Sequence, residues 1–482
     1  MTAVPLRSIA ELMPLLPELV LVGGAFALLM LDLFLSEQRR VAIHWLSIAL
    51  LVVVAAMVAS GTGGQGTVLG GMFVRDGVAD VLKASLAGIS AIAMVFLWPY
   101  MSDRGLYKGE MSVLMLFAVL GMMLLVSSGS LVMIYVGLEM LALCSYALVA
   151  IDRENPQASE AGIKYFVLGA LASGLLLYGL SLVYGATGTL DLQQIALAAQ
   201  AAPSMMMLVT GVAFIVAGIG FKFGAAPFHM WLPDVYHGAP TPITLFIGSA
   251  PKLAAFGMTY RLLEVGVGPM ESHWQIMLAA LAVLSLAIGN LSAIMQSNFK
   301  RMLAYSTVSH VGFLFMGFAG GGPEGFAAAM FYAMVYALMA TAAFGAIVVM
   351  SSRGFEADRI DDYKGLNARN PWMAGLIMLT MFSLAGVPPF LGFWAKLSVL
   401  RAAIQGDMLW LAIVGIVFAV IGAFYYLRVV KVMYFDEPEG VVPAPTAHRP
   451  MRIVLGVNAV ALLALGLAWN PIMAWCRDAF GI

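Results

Sequence analysis

Charged residues are scarce in this sequence of 482 residues. Only 11% of the residues are charged and 62% are hydrophobic, whereas soluble domains carry roughly 25% charged residues. The formal net charge is −1, so the chain has no basic surplus to neutralise phosphates, which argues against nucleic acid as a partner. This composition leaves no room for a sizeable soluble domain.

Cysteines are equally scarce. The chain has two, Cys144 and Cys476, and each lies in an apolar run. A disulfide framework is therefore not expected, and two thiols cannot hold an iron–sulfur cluster, which takes about four protein ligands. The sequence also lacks CxxC, HExxH and a phosphate-binding glycine loop. We therefore expect neither a metal nor a cofactor in this chain.

Long apolar runs dominate instead. A helix needs about 20 apolar residues to cross a bilayer, and the runs predict an all-α integral membrane protein with about fourteen spans. The first run follows Arg7 and indicates a spanning helix rather than a cleaved signal. Numbered in chain order, the predicted spans are 14–35, 41–60, 77–98, 111–127, 130–150, 160–185, 203–237, 241–263, 273–296, 302–319, 325–350, 372–402, 408–435 and 452–474.

Lysine and arginine predict the orientation, because basic loops stay in the cytoplasm. The odd-numbered loops carry Arg39, Arg40, Arg104, Lys108, Arg153, Lys300, Arg301, Arg353, Arg359, Lys364, Arg369, Arg449 and Arg452. The even-numbered loops and the two ends carry only Arg7, Arg75, Arg261, Arg401 and Arg477. The odd-numbered loops are therefore predicted to be cytoplasmic, with both termini on the other side.

Spans 7 and 12 are longer than a bilayer requires, and each contains helix breakers near its middle. Span 7 has Ala226-Pro227, and span 12 has Gly386-Val387-Pro388-Pro389. Proline removes a backbone donor and clashes with the preceding turn. Each span is therefore predicted to be two half-helices joined by an irregular segment, which is tolerated at membrane depth only beside protein or water.

These two spans are five apart and are predicted to cross in opposite directions. Spans 4–8 and 9–13 then form two inverted five-helix repeats, an arrangement common in transporters. The predicted division is an N-terminal three-helix segment at 1–110, repeats at 111–265 and 266–436, and a C-terminal helix at 437–482.

Titratable side chains lie inside several spans. A charge at the bilayer centre costs about 3 kcal/mol or more unless it is paired or hydrated. Burial lowers the pKa of a lysine and a nearby carboxylate raises it again, so a lysine between the two effects can exchange protons near neutral pH. The candidate proton-transfer residues are Glu139, Lys164, Lys222, Lys252, Lys396 and His310.

Each candidate also has a structural interpretation. Lys164 could extend to the cytoplasmic interface and Lys396 to the outer one. Glu139 could form a static ion pair with Lys222 or Lys252. A single histidine in a helix bundle, such as His310, is more often a satisfied core residue.

Three segments resemble one family. The residues at 222–242 read KFGAAPFHMWLPDVYHGAPTP, those at 383–396 read SLAGVPPFLGFWAK, and those at 300–310 read KRMLAYSTVSH. They resemble the antiporter-like subunits of respiratory complex I and their cation/proton antiporter relatives, over roughly residues 110–435. Within that family, the chain length and Lys396 point to the subunit type that has lysine rather than glutamate there and lacks a long lateral helix.

The resemblance implies a multi-pass protein of the bacterial inner membrane, so the side predicted from the basic loops for both termini is the periplasm. It implies that Glu139, Lys222, Lys252 and Lys396 line a proton path to which Lys164 also belongs. FMN, iron–sulfur clusters and quinone are expected in partner subunits, which makes this chain a non-redox part of the translocase.

Three functions remain open at this point. The first is a proton-pumping subunit of NADH:quinone oxidoreductase, driven by quinone reduction elsewhere in the complex. The second is a subunit of a related cation/proton antiporter or membrane-bound hydrogenase complex. The third is a membrane scaffold whose buried charges only set helix register.

Overall fold

The computed structural model describes residues 9–36, 39–200, 204–438, 445 and 448–482. Twelve helices in these stretches are long and apolar enough to cross a membrane. Large apolar side chains such as Leu33, Phe34 and Val420 are each at least 71% exposed on their outer faces. Exposed apolar faces of this kind suit contact with lipid or partner helices. The predicted all-α membrane fold is confirmed, with one small hairpin added.

The N-terminal segment contains three spanning helices and that hairpin. The helices are α1 (Leu16–Phe34), α2 (Val41–Ala59) and α3 (Gly77–Asp103), and the strands are β1 (Gly66–Val68) and β2 (Phe73–Arg75). The strands pair antiparallel, with Gly66 opposite Arg75. Strands of three residues are too short to show the alternation by which a strand is recognised, so the sequence did not predict them.

Two further groups of helices follow along the chain. The first group is α4 (Gly109–Val126), α5 (Leu131–Val149), α6 (Pro156–Thr187), α7 (Leu192–Ala199), α8 (Met205–Phe223), α9 (Trp231–Gly238), α10 (Thr241–Gly248) and α11 (Ala250–Thr259). The second is α12 (Glu271–Ile294), α13 (Phe299–Ala319), α14 (Gly322–Met350), α15 (Leu366–Arg369), α16 (Pro371–Ala385), α17 (Leu391–Gln405) and α18 (Leu409–Phe435). The chain ends with α19 (Arg449–Leu467) and α20 (Asn470–Ala479).

Glycines bring the first two helices of each group into close contact. A Cβ on Gly121 of α4 would lie 2.8 Å from the carbonyl oxygen of Gly137 in α5. A Cβ on Gly289 of α12 would lie 2.9 Å from the carbonyl oxygen of Tyr305 in α13. The shared packing supports the two-repeat organisation, and the repeat boundaries stay a prediction.

Side-chain caps define where several helices begin. Asp76, Ser130, Asn155, Asn298 and Asn370 each accept a hydrogen bond from a backbone N–H in the first turn of the helix that follows. Short polar side chains at this position satisfy donors that the helix itself leaves unpaired.

Both predicted helix breaks are present. Gly224 directly follows α8 and Gly386 directly follows α16, and both glycines are left-handed, with φ of +80° and +84°. Glycine takes this conformation without steric cost and so ends helices. The chain then passes Pro227 or Pro389 before the second half-helix begins at Trp231 or Leu391.

Span 8 differs from its prediction as one continuous helix. It is interrupted at Ser249, whose φ and ψ are −113° and −86°, and it ends in a π-helical turn at Tyr260–Gly266. Spans 8 and 12 each consist of two helices of at most 15 residues, so neither span is among the twelve long helices. The described stretches contain twelve long apolar helices. The count of about fourteen crossings stays a prediction.

The loops separate into two groups that agree with the predicted alternation. Among the odd-numbered loops, Arg104 pairs with Glu356 and Asn298 bridges Arg359. Among the even-numbered loops, Asp76 pairs with Arg261. Which group faces the cytoplasm stays a prediction, and Arg7 lies outside the described residues.

Candidate proton path in the membrane interior

Lys252 belongs to span 8, but its side chain reaches the break in span 7. The residue sits in the first turns of α11 and is only 2% exposed. Its Nζ donates a hydrogen bond of 2.7 Å to the carbonyl oxygen of Phe223, the last residue of α8. The last carbonyls of a helix have no partner within it and carry partial negative charge. The broken helix therefore supplies the counter-charge for Lys252.

Lys396 uses the other break in the same way. It lies on α17 and is 8% exposed. Its Nζ donates to the carbonyl oxygens of Leu384 (3.0 Å) and Ala385 (2.8 Å), the last two residues of α16. The ammonium therefore points inward to the break and does not extend to the outer interface, the structural alternative considered for it above.

Lys222 and Glu139 are neighbours without being a closed ion pair. Lys222 lies in the last turn of α8 and Glu139 lies on α5, and both are half-buried. The two charges interact electrostatically, but no contact within 4 Å joins them in the described part of the chain. Glu139 Oε1 is buried and has no hydrogen-bond partner among the described residues. A small shift of either side chain would therefore change their interaction strongly.

A small internal cavity lies between Lys222 and Lys252. Lys222 and Lys252 both line it, together with Ser145, Tyr165 and Trp231. Its volume of about 30 Å³ exceeds the roughly 10–15 Å³ that one water molecule requires. A water in this cavity would have two ammonium groups and two hydroxyls along its walls.

His310 lies in a separate polar cluster in the second repeat. It is 3% exposed, and its Nδ1 and Nε2 contact the hydroxyls of Tyr332 (2.7 Å) and Tyr426 (3.0 Å). Tyr426 also bonds Ser306, and the hydroxyl of Tyr336 donates to Thr307 at 2.7 Å. A tyrosine hydroxyl can both donate and accept, so this cluster satisfies both ring nitrogens of His310.

Lys164 stands apart from the other candidates. Its side chain is 40% exposed and pairs with Glu160 (2.8 Å) and Asp234 (2.7 Å). Asp234 also pairs with Arg301 at 2.8 Å. Lys164 is not among the residues that line the cavity of Lys222 and Lys252. The structure thus places Lys222 near Glu139 and, with Lys252, on one cavity. It places Lys396 within electrostatic range of His310 and leaves Lys164 in a surface network.

Several hydrogen-bond and ion-pair partners of the candidate residues are not predicted from the sequence. Asp234 lies inside the motif at 222–242 yet gives no sign of its link to Lys164, because that link depends on how α6 packs against α9. Tyr332 and Tyr426 lie on α14 and α18, and nothing in their spacing marks them as partners of His310. Ser306 and Thr307, which look like packing residues, are members of its cluster.

A polar pocket of about 310 Å³ opens where the odd-numbered loops meet. Lys300 donates to the carbonyl oxygen of Ala239 (2.9 Å) at one wall, and His237 faces Asp358 at another. Burial alone would raise the pKa of Asp358, but hydrogen bonds from His237 and Asn298 hold that pKa below its usual value. In the described part of the chain, no group of three or more His, Cys, Asp or Glu side chains could hold a metal ion.

The geometry defines a class: a membrane protein with paired broken helices whose carbonyl ends bind buried lysines. The family described as "NADH:quinone oxidoreductase/Mrp antiporter, TM" matches residues 128–422. The chain belongs to this family, as the resemblance of its three segments predicts.

Named relatives narrow the comparison. The chain is 64% identical to NADH-quinone oxidoreductase subunit N of Xanthomonas euvesicatoria pv. vesicatoria (strain 85-10), over 99% of this chain and 98% of the relative. It is similar to a chain of respiratory complex I from Thermus thermophilus, with 31% identity, a TM-score of 0.81 and coverage of 95% and 98%. The subunit type that Lys396 and the chain length indicate is confirmed.

The fold is shared more widely. A chain of the Mrp complex from Dietzia sp. DQ12-45-1b superimposes with a TM-score of 0.85 and 22% identity, covering 98% of this chain and 97% of that one. At that identity the likeness concerns the fold alone.

Proposed function

We propose that the chain is a proton-translocating membrane subunit of a bacterial NADH:quinone oxidoreductase, driven by quinone reduction elsewhere in the complex. The observation that carries the proposal is the placement of Lys252 and Lys396, each on the carbonyl end of a broken helix. The name and near-complete coverage of the 64% identical relative support the assignment to this enzyme.

The protonation of each lysine depends on the groups around its ammonium. A helix carbonyl end favours the charged lysine, whereas burial in apolar surroundings favours the neutral one. Because these effects oppose each other, a modest local change moves the proton. For Lys222 the nearby carboxylate of Glu139 supplies such a change.

The proposed sequence of transfers begins at the pair of Glu139 and Lys222. When Glu139 approaches, Lys222 holds a proton; when it withdraws, Lys222 releases the proton through water in the shared cavity to Lys252. The proton then continues through the second repeat toward His310 and Lys396. Lys164, which is tied to Asp234 on the surface, has a smaller role at the start of the path.

Other parts of the proposal concern the surroundings of the chain. The protein is a multi-pass component of the bacterial inner membrane, and we place both termini in the periplasm because the odd-numbered loops hold most of the basic residues. FMN, iron–sulfur clusters and quinone belong to partner subunits. This chain contributes no redox centre and acts only on protons.

The test uses the intact complex in liposomes. We expect Lys222→Ala and Lys252→Ala to leave the complex assembled, with flavin and iron–sulfur partners co-purifying, while protons translocated per NADH fall at least about tenfold. Lys431→Ala is the matched control, because Lys431 is 65% exposed and pairs with Asp436. Normal pumping by both variants would support the scaffold function instead.

A further inference from the structure

Tyr236 is a buried side chain that the proton path described so far does not use. It lies on the short helix α9 and is 0% exposed. Its hydroxyl has no hydrogen-bond partner among the described residues. Buried hydroxyls in folded proteins are normally bonded to protein or to water, so an exception requires an explanation.

One side of Tyr236 faces residues that line the first repeat's cavity. The hydroxyl faces the break in span 8, because a Cβ on Gly248, the last residue of α10, would lie 3.4 Å from Tyr236 Oη. Ile247 and Pro251 flank the same break and line the cavity of Lys222 and Lys252. The aromatic ring of Tyr236 also lies 6.3 Å from that of Trp231, another cavity residue.

The other side borders the His310 cluster. The ring of Tyr236 packs against Phe344 of α14 at 5.6 Å. The hydroxyl lies within electrostatic range of two further tyrosines: Tyr336 of α14 and Tyr165 of the cavity. Tyr336 bonds Thr307, and its ring is 5.1 Å from that of His310. Tyr236 thus stands between the polar groups of the two repeats.

We propose that the Tyr236 hydroxyl, with bound water, passes protons between the lysine cavity of the first repeat and the His310 cluster of the second. This inference rests on the proposed function. In each passage a proton adds to an Oη lone pair from water on one side as the hydroxyl's own proton leaves to water on the other. The tyrosine is neutral before and after, so no charge is left in the membrane interior.

A purely structural role makes the opposite prediction. If the hydroxyl were only an unsatisfied polar group, replacing it by hydrogen would be neutral or stabilising, because no partner is lost. Tyr236→Phe keeps the ring and its contacts with Trp231 and Phe344. The variant therefore separates proton transfer from packing.

The experiment measures protons translocated per NADH by the whole reconstituted complex carrying Tyr236→Phe. We expect a fall of at least about fivefold, with an unchanged melting temperature of the detergent-solubilised complex. Tyr184→Phe is the matched control, because Tyr184 is 46% exposed. Unchanged pumping by Tyr236→Phe, with or without a raised melting temperature, would overturn the inference.

A second variant covers the case in which Tyr236→Phe does not assemble. Gly248→Ala keeps the hydroxyl and adds a methyl group 3.4 Å from it, in the space where a bridging water would lie. We expect reduced pumping here too, and full pumping would count against a water beside Tyr236. Lys252→Ala separates the two proposals: loss of pumping there with normal Tyr236→Phe and Gly248→Ala overturns this inference alone, whereas normal pumping in all three overturns the proposed function.

Discussion

The two broken helices share one backbone design and differ in the side chains around it. In both, a left-handed glycine ends the first half-helix, and a lysine binds the carbonyls left free there. The first break lies near a carboxylate and a second lysine, Glu139 and Lys222. The second lies near the His310 cluster, in which tyrosine hydroxyls contact both ring nitrogens. The first repeat can therefore control a proton by charge, and the second by hydrogen bonds.

Equivalent positions show how the difference arises. Lys222 stands two residues before Gly224, where the second repeat has Leu384 before Gly386. Asp234 stands seven residues after Pro227, where the second repeat has Lys396 after Pro389. The same backbone positions thus carry different charges. A shared fold fixes where a proton group can be placed, and the side chain decides which group it is.

The largest effect is expected at Lys396. Lys396→Ala removes the ammonium that satisfies the carbonyls of Leu384 and Ala385, and we expect pumping to fall at least about tenfold, as in Lys252→Ala. Proteoliposomes with a pH-sensitive dye would measure it. A variant that pumps normally would mean that the two breaks are not functionally equivalent.

A smaller effect is expected at Glu139. Glu139→Gln keeps the shape of the side chain but removes the charge that acts on Lys222. Because the carboxylate favours the charged form of Lys222, we expect pumping to fall about five- to tenfold. Glu154→Gln is a matched control on the surface, since Glu154 is exposed. Equal effects of the two substitutions would contradict the role given to Glu139.

A third effect, on stability as well as on pumping, is expected at His310. His310→Leu leaves the hydroxyls of Tyr332 and Tyr426 without this partner, and an unsatisfied buried group costs about 1–3 kcal/mol. We expect a lower melting temperature of the complex together with a pumping loss of about two- to fivefold. His310→Gln, which can both donate and accept, should recover part of each. Failure of glutamine to recover either property would argue against the hydrogen-bond role.

The smallest effect is expected at Lys164. Its ammonium is partly exposed and shares Asp234 with Arg301. Lys164→Ala leaves that second pair in place, so we expect less than about a twofold change in pumping, since surface ion pairs contribute little. A loss as large as that of Lys252→Ala, measured in the same liposomes, would place Lys164 on the main path.

The sequence predicts the breaks well because proline and glycine act locally. Ala226-Pro227 and Gly386–Pro389 predict irregular backbone. A lysine near each break is rare inside a membrane and therefore indicates a functional site. The break at Ser249 also has a local signal, since Pro251 lies in the middle of predicted span 8. Span 8 is no longer than a bilayer requires, so its length gives no second indication of a break. The two three-residue strands at 66–75 are too short to be predicted from the sequence.

Contacts between distant helices set the rest of the site. Lys252 reaches α8 from another span, and His310 meets tyrosines of α14 and α18, so the pairing depends on rotation and depth of each helix. Apolar residues surround these helices on every side, and their hydrophobic pattern does not fix rotation. This is why candidate residues can be predicted from the sequence and their partners cannot.

The central claim is that the buried lysines release protons instead of merely balancing charge. Lys252→Arg tests it most directly, because arginine keeps the positive charge and can donate to the Phe223 carbonyl but does not lose its proton. We predict an assembled complex in which proton pumping is abolished, with Lys396→Arg behaving alike. Full pumping by an assembled Lys252→Arg complex would show that a fixed charge suffices there and would contradict the proposed path.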